Sequence, residues 1–187
     1  MSMSGKKMFS SRGQRVFLTG FMGVGKSTLG LILAQHLGSP FVDLDLEIEK
    51  RLGLKVPEIF QTYGEGFFRE RESEVLYQIL QEYPQGVIAL GGGVFLNPSH
   101  RRVLNAQGIS VYLKASVDTL CLRLLGEKWE QRPLLKGLDG QSLKSRIESL
   151  LHEREPAYGE ACLCIVTDDQ IPEETARKLL RALEESI

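Results

Sequence analysis

Cysteine, histidine and tryptophan are scarce in this chain of 187 residues, with three, three and one of each. Cys121, Cys162 and Cys164 are odd in number and badly spaced for a disulfide framework or a zinc site. His36, His100 and His152 cluster with nothing in the sequence. These absences exclude a metalloprotein and a disulfide-stapled secreted scaffold. Long apolar runs are missing too, since none approaches the roughly 18 residues needed to span a bilayer. Neither charge is in surplus. With 23 Lys+Arg against 24 Asp+Glu the net charge is −1, whereas a dedicated nucleic-acid binder needs a clear cationic excess to release counterions. Residues 1–14 hold Lys6, Lys7 and Arg12 but no acid and no apolar signal segment, and read as a disordered, solvated tail. What is present is 42% apolar residues, enough for one domain with a real core over 15–187.

Short β-branched runs alternate with longer helical stretches. Strands are predicted at Arg15–Thr19, Pro40–Leu44, Val87–Leu90, Ser110–Leu113 and Leu163–Val166. Most lack polar alternation, as strands covered on both faces of a parallel sheet do. Helices are predicted at Lys26–Leu37, Leu46–Leu52, Phe67–Glu82, Pro98–Ala106, Val117–Leu125, Gln141–Glu155 and Pro172–Ser186. The last has an apolar stripe of Ala176, Leu179, Leu180, Leu183 and Ile187, with Pro172 in its first turn. The alternation implies a three-layer α/β fold, a five-stranded parallel sheet flanked by helices, with ligands at the carboxyl ends of the strands.

Gly20-Phe21-Met22-Gly23-Val24-Gly25-Lys26-Ser27 fits G-x-x-x-x-G-K-[ST] in full, between a strand and a helix. Backbone N–H groups of such a loop point at an anion, and the helix N-terminus adds partial positive charge. Gly23, Val24, Gly25, Lys26, Ser27 and Thr28 are the expected nucleotide cradle. Lys26 would reach the outer phosphates and the Ser27 hydroxyl would ligate Mg²⁺. A glycine-rich turn without function is the alternative.

Charges also stand where a core should be. On the predicted helix Phe67–Glu82, Arg69 and Glu72 fall on the apolar face of Phe68, Val75, Leu76, Ile79 and Leu80. Desolvation there costs several kcal/mol per ion, on the order of any gain from pairing, so compensation is needed. Either Glu72 orients Arg69 toward an anionic ligand, or the two form a structural ion pair. On Gln141–Glu155, Arg154 falls among Leu143, Ile147, Leu150 and Leu151, and Pro156 is expected to end the helix. Two inward arginines suggest a bidentate grip on a carboxylate or phosphate. A snorkelling side chain at a helix end is the plainer reading of Arg154.

Asp43 and Asp45 close the strand Pro40–Leu44 with i,i+2 spacing. They are candidates for the metal and for an acceptor hydroxyl respectively, although Asp45 also suits a helix N-cap. Gly91, Gly92 and Gly93 follow Val87–Leu90 and leave bare backbone N–H groups where an acceptor would lie. The polar segment 126–140 carries Lys128, Trp129, Arg132 and Pro133 and reads as a lid that excludes water and delivers Arg132 to the transferring group. Cys162 and Cys164 are expected to pack in the core. The acceptor is open at this point among an acid, gluconate and a nucleoside monophosphate. A nucleotide-binding switch lacks support because N-K-x-D is absent.

Together, GFMGVGKST (20–28), DLD (43–45), FRERE (68–72), GGG (91–93), RPLL (132–135) and REPAY (154–158) resemble the shikimate kinase family, from about Val16 to the C-terminus. The resemblance implies a P-loop fold like that of the nucleoside monophosphate kinases, with a lid. It implies ATP-dependent phosphorylation of the 3-hydroxyl of shikimate, on the way to chorismate and the aromatic amino acids. It gives the shikimate carboxylate to Arg69 and Arg154, and the hydroxyls to Asp45 and Gly91–Gly93. Asp43 is then near Mg²⁺, partly through water, and Arg132 is the lid arginine. The family's adenine loop corresponds to Thr167–Pro172, which puts Asp169 at the nucleotide. Asp168-Asp169-Gln170 stands there in place of a stretch that often carries a base-stacking arginine. The family's other nucleotide arginine, just before RPLL, has no clear match, with Arg123 nine residues upstream and Lys128 four. The resemblance further implies a cytoplasmic monomer whose partners are ATP and shikimate, with no nucleic acid and no membrane.

Overall fold

The computed structural model describes residues 14–125, 132–168 and 170–186. Along them run β1 (Arg15–Thr19), α1 (Lys26–Leu37), β2 (Phe41–Asp43), α2 (Leu44–Leu52), α3 (Val56–Glu82), β3 (Gly86–Ala89), α4 (Pro98–Gln107), β4 (Gly108–Lys114), α5 (Val117–Leu125), α6 (Gly140–Tyr158), β5 (Leu163–Val166) and α7 (Pro172–Glu185). Short 3₁₀ turns occupy Val94–Leu96 and Pro133–Leu135. The strands form one parallel sheet in the order β2-β3-β1-β4-β5. From β1 the chain crosses to β2 on one side, and from β3 it crosses to β4 on the other. The crevice between β1 and β3 is thus the switch point at which such sheets bind ligands.

Strand periodicity sorts the core into two layers. Val16, Leu18, Val87, Val111 and Leu113 pack with the inner faces of α1, α5, α6 and α7. Phe17, Ile88 and Tyr112 face the other way, onto α2, α3 and α4. The stripe on α7 is present, with Ala176, Leu179 and Leu183 buried; Ile187, like residues 1–13, lies outside the described residues. Among those residues no helix is long and apolar enough to cross a membrane.

Four local expectations are corrected. The strand before the acidic pair ends at Asp43, and α2 begins at Leu44, so Asp43 and Asp45 do not share a strand face. The N-cap is Asp43, whose Oδ1 accepts from the Asp45 and Leu46 amides at 3.1 and 3.3 Å. Helix α3 starts eleven residues before the predicted Phe67, because Glu58 accepts from the Lys55 amide at 2.7 Å and Pro57 sits in the first turn. It breaks at Gly64, whose φ of 82° and ψ of 173° are not helical. Pro156 does not end α6, which runs on to Tyr158. Proline forfeits its own N–H bond and crowds the carbonyl one turn back, but the helix closes past it, where Gly159 N donates to Glu155 O at 2.8 Å. Cys162 and Cys164 are exposed, since β5 is an edge strand whose alternate residues turn outward while Leu163 and Ile165 pack inward.

Candidate active site

The carboxyl ends of β1, β2 and β3 bring four segments together. After β1, Gly20, Gly23 and Gly25 take positive φ, which lets the loop curl around the N-terminus of α1. Lys26 Nζ donates to Gly20 O at 3.0 Å and to Phe21 O at 3.1 Å. Burial draws its pKa down to about 8, opposed by Asp45. Ser27 Oγ donates to Asp43 Oδ2 at 2.5 Å, so the β2 carboxylate and the loop hydroxyl stand side by side. This all-oxygen pair beside a phosphate cradle suits a small hard cation that keeps water and phosphate as its remaining ligands. Among the described residues no group of three or more His, Cys, Asp or Glu is placed to hold a metal by itself.

After β3, the glycine loop is ringed by charge. A Cβ on Gly91 would lie 2.7 Å from Glu72 Oε1 and 2.8 Å from Asp45 Oδ1. One on Gly93 would strike the Arg69 guanidinium, and Gly92 faces Arg154 Nη1 at 3.9 Å from the corresponding point. Close approach therefore calls for glycine at 91 and 93, whereas a Cβ at 92 would make only ordinary contact. Burial, reinforced by Asp43, raises the pKa of Asp45, while Lys26 and Arg132 pull it back. Burial likewise pushes Glu72 up to about 7 against the pull of Arg69.

The structure brings together the arginines and carboxylates picked out by helical period. Arg69 Nη1 donates to Glu72 Oε2 at 2.8 Å, and its Nη2 to Glu65 Oε1 at 3.0 Å. The second Glu72 oxygen, Oε1, is buried without a hydrogen-bond partner. Arg154 is 6% exposed and lies over the Phe21 ring at 5.8 Å. Its Nε is also without a partner. An arginine buried this far does not snorkel. Arg132 leads into the 3₁₀ turn anchored by buried Leu135 and bears on the ionisation of Lys26 and Asp45. Asp169, Lys128 and Trp129 lie outside the described residues.

Arg123 is the residue that sequence reasoning could not match to the family's nucleotide arginine. Its guanidinium bonds Val24 O and Thr167 Oγ1, both at 3.1 Å, and Thr167 O at 2.6 Å. It thereby lines a cavity of about 390 Å³ with Gly23, Thr28, Gln170 and Pro172, beside the phosphate loop. Nothing local signals this, because its partners are 44 and 99 residues away in sequence. A wider groove of about 680 Å³ runs between Lys55–Gln61 and Pro133–Lys136.

Comparison with known proteins agrees with this geometry. A shikimate kinase from Ruegeria pomeroyi is 41% identical over 155 residues, covering 83% of this chain and 76% of its own. The structure of the shikimate kinase from Acinetobacter baumannii in complex with shikimate superposes with a TM-score of 0.85 at 34% identity, covering 92% of this chain and 94% of that one. A gluconokinase from Sinorhizobium meliloti shares the fold alone, with 19% identity and a TM-score of 0.60 over 92% and 93% of the two chains. The sequence model of the shikimate kinase family runs through residues 22–184, from inside the phosphate loop almost to the end of α7. On that span, the chain belongs to the shikimate kinase family.

Proposed function

We propose how the side chains divide the work in the reaction of this family, the ATP-dependent phosphorylation of shikimate in aromatic amino-acid biosynthesis. The observation that carries the reading is the ring of Asp45, Glu72, Arg69 and Arg154 around Gly91–Gly93, facing Lys26 across the sheet crevice. Gly23–Thr28 cradle the polyphosphate through backbone amides. The cavity beside Arg123 and Pro172 takes the adenine, and Asp169 is assigned to the nucleotide. The locked guanidinium offers its flat face to a base. Lys26 and Arg132 share the charge of the transferring group, and the lid segment 126–140 excludes water.

Arg69 and Arg154 grip the acceptor carboxylate, which turns the 3-hydroxyl toward the phosphoryl group. Asp45 accepts a hydrogen bond from that hydroxyl, and the Gly91–Gly93 backbone holds the neighbouring oxygens. Ser27 and Asp43 would hold Mg²⁺, the aspartate partly through water. When bound, the ion supplies charge neutralisation on the phosphates. The acceptor enters by the groove between α3 and Pro133. Residues 15–187 form one kinase domain that acts as a cytoplasmic monomer, with no role for nucleic acid or a membrane.

The test is a panel of acceptors with ATP: shikimate, gluconate and nucleoside monophosphates. Turnover of shikimate alone is expected. Equal turnover of gluconate or a nucleotide would overturn shikimate as the acceptor for which this site is built.

A further inference from the structure

The continuation of α6 past Pro156 places Tyr158 one helical turn after Arg154, on the same face. Its ring is fully buried and stacks on Tyr112 at 5.2 Å. Its hydroxyl donates to Gly92 O at 2.6 Å. On either side, Gly91 O and Gly93 O accept from Val94 N and Leu96 N, both at 3.1 Å, so the loop's own turn satisfies them. The Gly92 carbonyl points instead into α6. Arg154, one turn back on that face, turns its Nη1 toward Gly92 and bears electrostatically on the phenol.

We propose that Tyr158 is a positioning residue of the acceptor site, its hydroxyl tying the α6 turn that carries Arg154 to the Gly92 carbonyl and so fixing the acid-gripping arginine against the glycine loop. The proposal rests on the reading that Arg154 binds the acceptor carboxylate. A buried arginine with no carboxylate partner among the described residues needs such a clamp, because a long side chain has several rotamers to lose on binding. Phenol is the fitting chemistry. It donates to the carbonyl beside a guanidinium, and it adds no charge that would compete with the ligand. Burial, partly offset by Arg154, raises the Tyr158 pKa, so the donor proton is kept throughout the working range. The far end of the loop is fixed separately, where Arg101 Nη1 donates to Phe95 O at 2.9 Å and Leu96 O at 2.8 Å. The tyrosine bond is thus left to set the distance between loop and arginine.

The test is Tyr158→Phe, which keeps the stacked ring and deletes the hydroxyl. The KM for shikimate should rise about fivefold, as befits one lost buried hydrogen bond. Both the KM for ATP and kcat should stay within about twofold. In an Arg154→Lys background the same substitution should change the shikimate KM by less than about twofold, because the clamp has lost what it holds. A parent that phosphorylates shikimate with a Tyr158→Phe variant of unchanged KM overturns the role of Tyr158 and leaves the reaction standing. Equal effects in the two backgrounds also overturn it, as does a joint loss of affinity for ATP and shikimate, which marks a purely structural residue. A parent that fails to phosphorylate shikimate overturns the broader reading instead.

Discussion

The α3 and α6 sides of the proposed acceptor site each supply one arginine, and they hold it in opposite ways. Arg69 on α3 has a side chain that is 31% exposed and is already neutralised by Glu72 and Glu65. Arg154 on α6 is 6% exposed and pairs with no carboxylate among the described residues. On the proposed reading, the first meets the acid with its charge already balanced, so the acid must compete for its donors, and the second is a buried cation whose counterion is the ligand. The difference then separates stability from affinity: α3 is stable with its arginine, whereas α6 carries a charge that costs the free protein and is offset by binding.

Substitutions can break this contrast. Arg154→Lys is expected to raise the KM for shikimate by about tenfold or more, because an ammonium cannot reproduce a planar, two-donor contact. Arg69→Lys should raise it by only about threefold, since part of that arginine's hydrogen bonding goes to its own acids. A larger loss at Arg69 in steady-state kinetics would reverse the assignment. Thermal unfolding of the ligand-free protein sharpens the same point. Arg69→Met, which orphans buried Glu72, should lower Tm by about 5 °C. Arg154→Met should raise Tm by about 2 °C, because it removes an uncompensated charge. Two losses of equal size would show that both arginines are structural.

Acidity provides a third, smaller effect. A carboxyl with a raised folded-state pKa keeps its proton after the unfolded chain has released it. Between the ordinary 4.5 and about 7, Glu72 therefore makes the fold lose stability as pH rises. Glu72→Gln should flatten Tm across that window, so the variant gains on the parent from pH 5 to 7.5. Parallel curves would place the titration elsewhere. The smallest effect is at Glu65, whose side chain is 55% exposed. Glu65→Gln should change stability by less than about 0.5 kcal/mol in urea titration and lower the shikimate KM slightly, by freeing Arg69.

How much of this could be read in advance depends on whether the physics was local. The phosphate cradle is one contiguous segment, and its glycines state their own backbone requirement. Arg69, Glu72 and Arg154 were legible because a helix has a period, and a charge on its apolar face contradicts that period. The first half of α3 was not, since Gly64 and Gly66 weaken the helical signal that Lys55–Glu58 capping restores. The end of α6 was misjudged because proline's preference was outweighed by burial of Tyr158, which is a tertiary effect. Arg123 was illegible because it acts only where α5 lies against the loop after β1 and the end of β5.

The break in α3 has a mechanical consequence. Gly64 falls between Phe60, which walls the wider groove, and Arg69, which faces the glycine loop. Its left-handed φ is free of strain only for glycine, so α3 turns there instead of running on as one rod. Across the turn Phe60 packs on Phe68 and Tyr63 on Phe67, each with ring centroids 4.7 Å apart. The groove wall therefore leans on the residue next to Arg69, and a displacement of the one is transmitted to the other.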